Sequence, residues 1–376
     1  MHTITVGCTA MAGVLQSDDE GYDTSPLRYH GDVDAMPGLL DFAVNVQGSA
    51  PPPWLRDRLA ATLDGLARYP SAAHDAAARA AVARRHARSP DEVLVLAGSA
   101  EGFALLPALR PRRPVVVHPG FTEPEAALRG AGLDVTRVHT DEATGHRLDP
   151  GAVPGDADLV VIGNPTNPTG VLHPAAAIRA LARPGRVLVV DEAFADALPG
   201  EPESLAGECA LPGLLVLRSL TKTWALAGLR AGYALGAPDL IARLAAPRPQ
   251  WPVGTIALEA VLACSEPAAV AEAERAAHAL IAARAAQAAA LAAVVGVTVL
   301  PGQAPYLLLR LPDGHGARVR GELRAAGIAV RRGDTFPGLG PDHLRVAVRP
   351  PEQVARLVDA LSTALSPVLH EIEVPA

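Results

Sequence analysis

The chain keeps a single lysine. Lys222 is one of 33 basic side chains, and every other one is arginine. A guanidinium holds its proton at any pH a protein meets, whereas a lysine amine can shed it and become a nucleophile. Where arginine has taken the ordinary cation duties, a lone lysine points to amine chemistry; the blander alternative is one leftover surface lysine. The surroundings of Lys222 argue against chance, because five short apolar runs each end in residues that carry chemistry. Val93–Leu96 leads into Ala97-Gly98-Ser99-Ala100-Glu101-Gly102, and Val115–Val117 into His118-Pro119-Gly120-Phe121. Leu159–Ile162 leads into Gly163-Asn164-Pro165-Thr166-Asn167-Pro168-Thr169-Gly170, Val187–Val190 into Asp191-Glu192, and Leu214–Leu217 into Arg218-Ser219-Leu220-Thr221-Lys222.

Each segment also has a plain reading. Gly98 to Gly102 is compatible with an ordinary strand-to-helix turn, and Asn167-Pro168-Thr169-Gly170 is built of residues that favour turns. Phe121 alone reads as core. Asp191 is harder to dismiss, since a carboxylate at a buried strand end is expensive without a cation or donor. Pyridoxal phosphate explains the five together. It needs a lysine for a Schiff base, a carboxylate to keep the pyridine nitrogen protonated, a flat apolar face, a donor to the ring oxygen and a phosphate cradle. The chain offers Lys222, Asp191, Phe121 and Asn167, with Ser219, Thr221 and Arg230 for the phosphate and a Gly-flanked helix start at Ser99.

The elements that must position these residues follow from the same runs. They are short, β-branched or Leu-rich and not alternated, the pattern of strands buried on both faces. The segments between them are long enough for crossover helices, so a mainly parallel α/β sheet is expected, with ligands beyond its carboxyl ends. Pro51-Pro52-Pro53 opens a helix, and a second spans about 72–87. Beyond 245 the texture changes to a long Ala-rich helix (268–294), short strands near 297–300, 306–310, 328–331 and 344–348, and helices near 316–326 and 351–365. The chain therefore divides into an arm (1–45), a large cofactor-binding domain (46–245) and a small α+β domain (246–376).

Bulk properties narrow the partners. A net charge of -7 with dispersed acidic and basic residues argues against nucleic acid. Glu272, Glu274, Arg275 and Arg284 make the Ala-rich stretch a water-facing helix rather than a membrane span. Residues 4–15 lack a basic start and run into Ser17-Asp18-Asp19-Glu20, so no secretory signal is read there. Cys8, Cys209 and Cys264 fit neither a disulfide framework nor a metal site, which points to the cytoplasm.

The lysine region, Ser219-Leu220-Thr221-Lys222 with Ala227-Gly228-Leu229-Arg230-Ala231-Gly232-Tyr233, resembles class I/II aminotransferases, as do Asn167-Pro168-Thr169-Gly170 and Asp191-Glu192-Ala193-Phe194. The likeness is to the histidinol-phosphate group, and within it to the L-threonine-O-3-phosphate decarboxylase branch of cobalamin synthesis, through Arg68-Tyr69-Pro70, Leu217–Lys222, Tyr306–Arg310 and Leu344–Arg349. It implies the aspartate-aminotransferase-like fold type I and a homodimer with active sites at the subunit interface. It further implies that Lys222 moves the substrate proton, Asp191 pairs with the pyridine nitrogen, Asn167 donates to the ring oxygen and Phe121 stacks on the ring. Ser99, Ala100, Ser219, Thr221 and Arg230 would hold the phosphate, and Tyr69 would reach the cofactor of a second copy. Arg345 would bind a substrate carboxylate, Arg331 a substrate phosphate, with His30 and Asn45 closing over it.

There are departures. Phe194 stands where most of the group has tyrosine, Ala100 and Pro124 replace residues that are commonly polar or aromatic, and Asn45-Val46-Gln47-Gly48 alters an Asn-Pro-x-Gly motif. The missing phenol argues mildly against transamination. The leading expectation is therefore decarboxylation of L-threonine O-3-phosphate. The alternative is an aminotransferase acting on histidinol phosphate or a related amine, and a non-catalytic cofactor-binding regulator is a third, remoter possibility.

Overall fold

The computed structural model describes residues 25–373. Cys8, the apolar stretch 4–15, Ser17–Glu20 and the first part of the arm lie outside the described residues.

The arm contributes β1 (Leu40–Asp41). The next seven strands share one sheet: β2 (Val93–Leu96), β3 (Pro114–His118), β4 (Thr136–His139), β5 (Leu159–Gly163), β6 (Val187–Asp191), β7 (Leu214–Ser219) and β8 (Gly232–Gly236). Their order is β2-β8-β7-β6-β5-β3-β4. The block from β7 to β4 is parallel, while β8 runs antiparallel to both β7 and β2. The apolar runs are buried on both faces. Val160, Ile162, Leu188, Val190, Leu214 and Val216 pack on one side with Val82, Leu258 and Val261. Leu159, Val161, Val189, Leu215 and Leu217 pack on the other with Phe103, Leu128 and Leu244. Burial of each such side chain contributes about 1.5–3 kcal/mol, which is why this sheet is the rigid part of the molecule.

Two strands of this sheet were not expected. Thr136–His139 is an edge strand with three exposed residues of four, so it carries no apolar run. Gly232–Gly236 is flanked by glycines and reads as part of the lysine motif, yet it is fully buried between β7 and β2.

Toward the C-terminus come β9 (Thr298–Val299), β10 (Tyr306–Arg310), β11 (Ile328–Ala329), β12 (Arg331–Arg332) and β13 (His343–Ala347). Four of them form an antiparallel sheet in the order β12-β13-β10-β9, and β11 pairs in parallel with β1. The single strand expected over 328–331 is thus two, broken at Val330. The last helix, Pro351–Glu373, runs beyond its expected end. This unit has its own core, with Phe42 from the arm among Leu307, Leu309, Leu344, Val346, Leu357 and Leu361.

Packing crosses the division expected near 245. Helix Thr255–Cys264, absent from the sequence reading, is apolar nearly all round and lies in the large-sheet core through Leu258, Val261 and Cys264. Helix Pro267–Ala292 starts in that core at Ala269 and Ala273 and ends in the other at Leu291. Alanine's high helix propensity sustains this span with few large side chains. Trp54 Nε1 donates to Glu272 Oε2 at 2.9 Å on it, and no described helix is long and apolar enough to cross a membrane.

Candidate active site

A cavity of about 550 Å³ opens where the carboxyl ends of β6 and β7 face β12 and β13. The register makes this convergence unavoidable: Asp191, the last residue of β6, sits opposite Gly163 of β5 and Leu217 of β7. Lys222 lies three residues beyond the end of β7 and lines the same cavity. Burial pushes the Asp191 carboxyl up to about 7, although Ala193 N donates to its Oδ1 at 3.1 Å. Burial, then the Arg345 and Arg230 guanidinium groups, bring the Lys222 amine down to about 8. A carboxyl this deep is suited to a cationic partner, and the amine is close to losing its proton at neutral pH.

Behind the two strand ends lies an ion cluster in which Arg218 and Glu192 are buried and Glu201 partly so. Arg218 Nη1 donates to Glu192 Oε2 at 3.1 Å and to Glu201 Oε2 at 2.5 Å, and Glu192 also accepts from Ser204 Oγ and Leu205 N, both at 2.6 Å. Glu192 follows Asp191 in the chain and Arg218 precedes Ser219, so the cluster clamps the two strands that carry the acid and the lysine.

One end of the cavity is a cradle for an anion. Ser219 Oγ and Thr221 Oγ1 lie 2.7 Å apart, Ser99 and Ala100 begin the helix after β2, and the exposed Arg230 closes the edge. Glycine is required here at two positions. Gly98 has φ +82°, and a Cβ on it would fall 2.7 Å from Arg230 Nη2; a Cβ on Gly232 would fall 2.8 Å from Ser99 N. The backbone has been brought close to leave room for a group between these donors.

The opposite wall comes from the arm and the smaller sheet. Arg345 Nη1 donates to Asn167 Oδ1 and its Nη2 to Ala43 O, both at 2.5 Å. Asn167 is thereby oriented by its oxygen, which leaves its NH₂ as the free donor. Arg331 lies between the Tyr29 ring (4.9 Å) and the Phe336 ring (4.8 Å) and donates from Nη2 to Tyr29 O at 2.6 Å. Burial lowers Arg331 to about 10 and Arg345 to about 9. Among the described residues, Arg331 Nη1, Arg345 Nε and both amide atoms of the buried Asn45 have no hydrogen-bond partner. Unpaired polar atoms at this depth call for a polar ligand.

Of the residues expected at the site, Lys222, Asp191, Ser99, Ala100, Phe121, Asn167, Ser219, Thr221, Arg230, Arg345, Arg331, Asn45 and His30 all line this cavity. Tyr69 does not. It is 73% exposed and stacks on Trp251 with ring centroids 4.1 Å apart. Asp32, Glu123 and Phe336 also line the cavity and were missed. A larger groove of about 1030 Å³ runs beside Leu280, Ala283 and Val354 and holds none of these side chains. Among the described residues no His, Cys, Asp and Glu group is placed to hold a metal ion.

A family model for aminotransferases of class I and II matches residues 38–361. The chain belongs to that family. It is 56% identical over 331 residues to a histidinol-phosphate aminotransferase of Mycobacterium bovis, spanning 87% of this chain and 89% of that protein. A threonine-phosphate decarboxylase of Salmonella typhimurium is 33% identical over 337 residues, spanning 87% and 92%. The crystal structure of L-threonine-O-3-phosphate decarboxylase from Porphyromonas gingivalis matches with a TM-score of 0.77 at 25% identity, over 87% of this chain and 99% of that one. As a class I/II family member the chain is a pyridoxal-phosphate enzyme with the aspartate-aminotransferase-like fold. The cavity fits that cofactor: an acid for the pyridine nitrogen, an amine for the aldehyde and a glycine-lined cradle for the phosphate.

Proposed function

We propose that this protein transfers the amino group of a small phosphorylated amine, of the histidinol phosphate kind, to a keto acid. The observation that carries the reading is the pair of deep arginines, Arg331 and Arg345, each with a guanidinium nitrogen that has no hydrogen-bond partner among the described residues, in the cavity that holds Lys222. Two such forks suit the oxygens of a phosphate. The 56% identity to a histidinol-phosphate aminotransferase over most of both chains supports transamination over decarboxylation, for which the relative stands at 33%.

When bound, the cofactor supplies an electron sink for charge at the substrate carbon. The remaining roles fall to the chain. Lys222 Nζ would anchor the cofactor and would take up and return the proton at the substrate carbon. Asp191 would keep the pyridine nitrogen protonated, and Asn167 Nδ2, oriented through Arg345, would donate to the ring oxygen. Phe121 covers the ring face. Ser99, Ala100, Ser219, Thr221 and Arg230 hold the cofactor phosphate, while Arg331, Arg345, Asn45 and His30 hold the substrate.

One observation favours the decarboxylase as a second reading. Phe194 lines the cavity, edge-on to Tyr306 with ring centroids 5.1 Å apart, and offers no hydroxyl to the ring oxygen. The Tyr306 hydroxyl is turned away, donating to Thr166 O at 3.0 Å. We also propose that the enzyme works as a homodimer in the cytoplasm, with Tyr69 reaching the cofactor phosphate of the second copy. The exposed Leu63, Leu66, Tyr69 and Trp251 supply apolar surface for that contact.

Incubating the holoenzyme with histidinol phosphate or threonine phosphate, with and without 2-oxoglutarate, separates the readings. Glutamate formed only with histidinol phosphate and acceptor supports transamination. Carbon dioxide released from threonine phosphate without an acceptor would replace it by the decarboxylase.

A further inference from the structure

The outer wall of the cavity holds a carboxylate, Glu123, that the roles above leave unused, paired with His30. His30 Nε2 lies 2.5 Å from Glu123 Oε1, with the two side chains 30% and 22% exposed. Glu123 opens the helix Glu123–Gly130, on the large-sheet side of the cavity, and His30 belongs to the arm that crosses its mouth. The bond to His30 holds the Glu123 carboxyl below its usual range despite the opposing effect of burial. Glu123 is therefore an ionised acceptor for an imidazole N–H. The ring leans on Phe121, with centroids 5.2 Å apart at 32°, and His30 Nδ1 has no hydrogen bond among the described residues.

This stretch of wall is fixed at both ends. Thr122 Oγ1 donates to Leu27 O at 2.6 Å, and Arg331 Nη2 donates to Tyr29 O at 2.6 Å. The Tyr29 carbonyl belongs to the peptide unit that leads into His30, so the imidazole and the half-paired Arg331 guanidinium share one part of the cavity.

We propose that Glu123 is a positioning residue that sets His30 to accept a proton from, and then bind, the phosphate group of the substrate beside Arg331. This rests on the reading that the substrate carries a phosphate. A phosphate monoester loses its second proton near pH 6, so part of it reaches the site with one O–H left. That proton passes to His30 Nδ1 and the oxygen keeps the electron pair. The imidazolium is then flanked by the Glu123 carboxylate at Nε2 and the phosphate dianion at Nδ1, and no bond to phosphorus changes. A carboxylate behind an imidazole fixes its tautomer and stabilises its charged form.

The test titrates the holoenzyme with inorganic phosphate by calorimetry, for wild type, Glu123→Gln, His30→Gln and the double variant. Glutamine keeps the size of Glu123 and removes the charge. Phosphate binding is expected to weaken about tenfold in Glu123→Gln, the loss of one charge-assisted bond. The same change is expected to add nothing once His30 is glutamine, while the visible absorbance of the bound cofactor stays as in wild type. In turnover, Glu123→Gln raises KM for the phosphorylated amine about tenfold and leaves kcat and KM for its dephosphorylated counterpart unchanged. Equal phosphate affinity in wild type and Glu123→Gln overturns the proposal, as does an undiminished Glu123→Gln effect in the His30→Gln background or no phosphate binding by wild type. Phosphate binding that depends on Glu123 without amine transfer from histidinol phosphate upholds it and removes the aminotransferase reading instead.

Discussion

Two side chains of opposite tendency face the same cavity, and their burial prepares each for a partner. The Lys222 amine, brought down to about 8, is neutral above that value, and only the neutral form attacks an aldehyde. The rate at which apoenzyme takes up pyridoxal phosphate should therefore rise with pH and level off above about 8, followed by visible absorbance. Arg345→Gln removes a cation that lowers the amine, so the midpoint should move upward. Lys222→Arg should abolish the visible band, because arginine has no amine to give. Asp191 works in the other sense. Its folded value of about 7 lies above the ordinary 3.8, so the stability it contributes is present below 3.8 and is lost as pH rises through 7. In the apoenzyme at pH 8, Asp191→Asn removes that loss and should raise the melting temperature by a few degrees, with little difference at pH 3.5. The same variant should lose activity by more than about a hundredfold, since a neutral amide does not hold a pyridinium. An apoenzyme Asp191→Asn that melts below wild type at pH 8 would contradict the burial of that charge.

At the scale of elements, glycines decide how near the strand ends come. Gly98 sits at φ +82° directly under the Arg230 guanidinium. Gly98→Ala forces a side chain into a left-handed backbone and against Arg230, at about 1–3 kcal/mol. Cofactor affinity should fall at least about tenfold, measured by dialysis against pyridoxal phosphate, with kcat of the loaded enzyme reduced less. Unchanged affinity would mean that Arg230 is free to move aside. The sequence is most readable where an element is both buried and regular. Each of the five apolar runs became a strand of the large sheet, and the residues after them met at one edge. The β8 strand escaped because Gly232 and Gly236 interrupt its apolar pattern, and its glycines reflect close approach to β7 rather than a turn. Thr136–His139 escaped because an edge strand need not be apolar. Helix Thr255–Cys264 has Glu259 as its one charged residue, so its period gave little signal. Asp32 belongs to the site through the path of the arm and Glu123 pairs there with His30 of the arm, tertiary facts with no local signature, whereas Arg331 and Arg345 were reachable only through resemblance.

At the scale of the molecule, the cavity lies on the seam between two hydrophobic cores, and the arm laces the seam. Leu27 and His30 bond to the helix region at Thr122 and Glu123, β1 pairs with β11, and Gln47 N donates to Lys222 O at 2.8 Å. Arg349 holds the middle of this lacing. Its guanidinium donates to Asp41 O at 2.7 Å, Val44 O at 2.5 Å and Val46 O at 3.1 Å, so one side chain fixes the path around Asn45. Asn45 is buried with neither amide atom hydrogen-bonded among the described residues, and Asp41 Oδ1 and Arg345 Nη2 hold the turn just before it through Ala43 and Val44. Arg349→Ala leaves those carbonyls half-buried without donors, which costs about 1–3 kcal/mol. The melting temperature should fall by a few degrees. If the arm is what presents Asn45, KM for the amino substrate should rise several-fold while the visible spectrum of the bound cofactor stays as in wild type, because Lys222, Asp191 and the phosphate cradle all stand on the large sheet. A fall in stability with KM unchanged would separate the arm from substrate binding and leave it a purely structural tie.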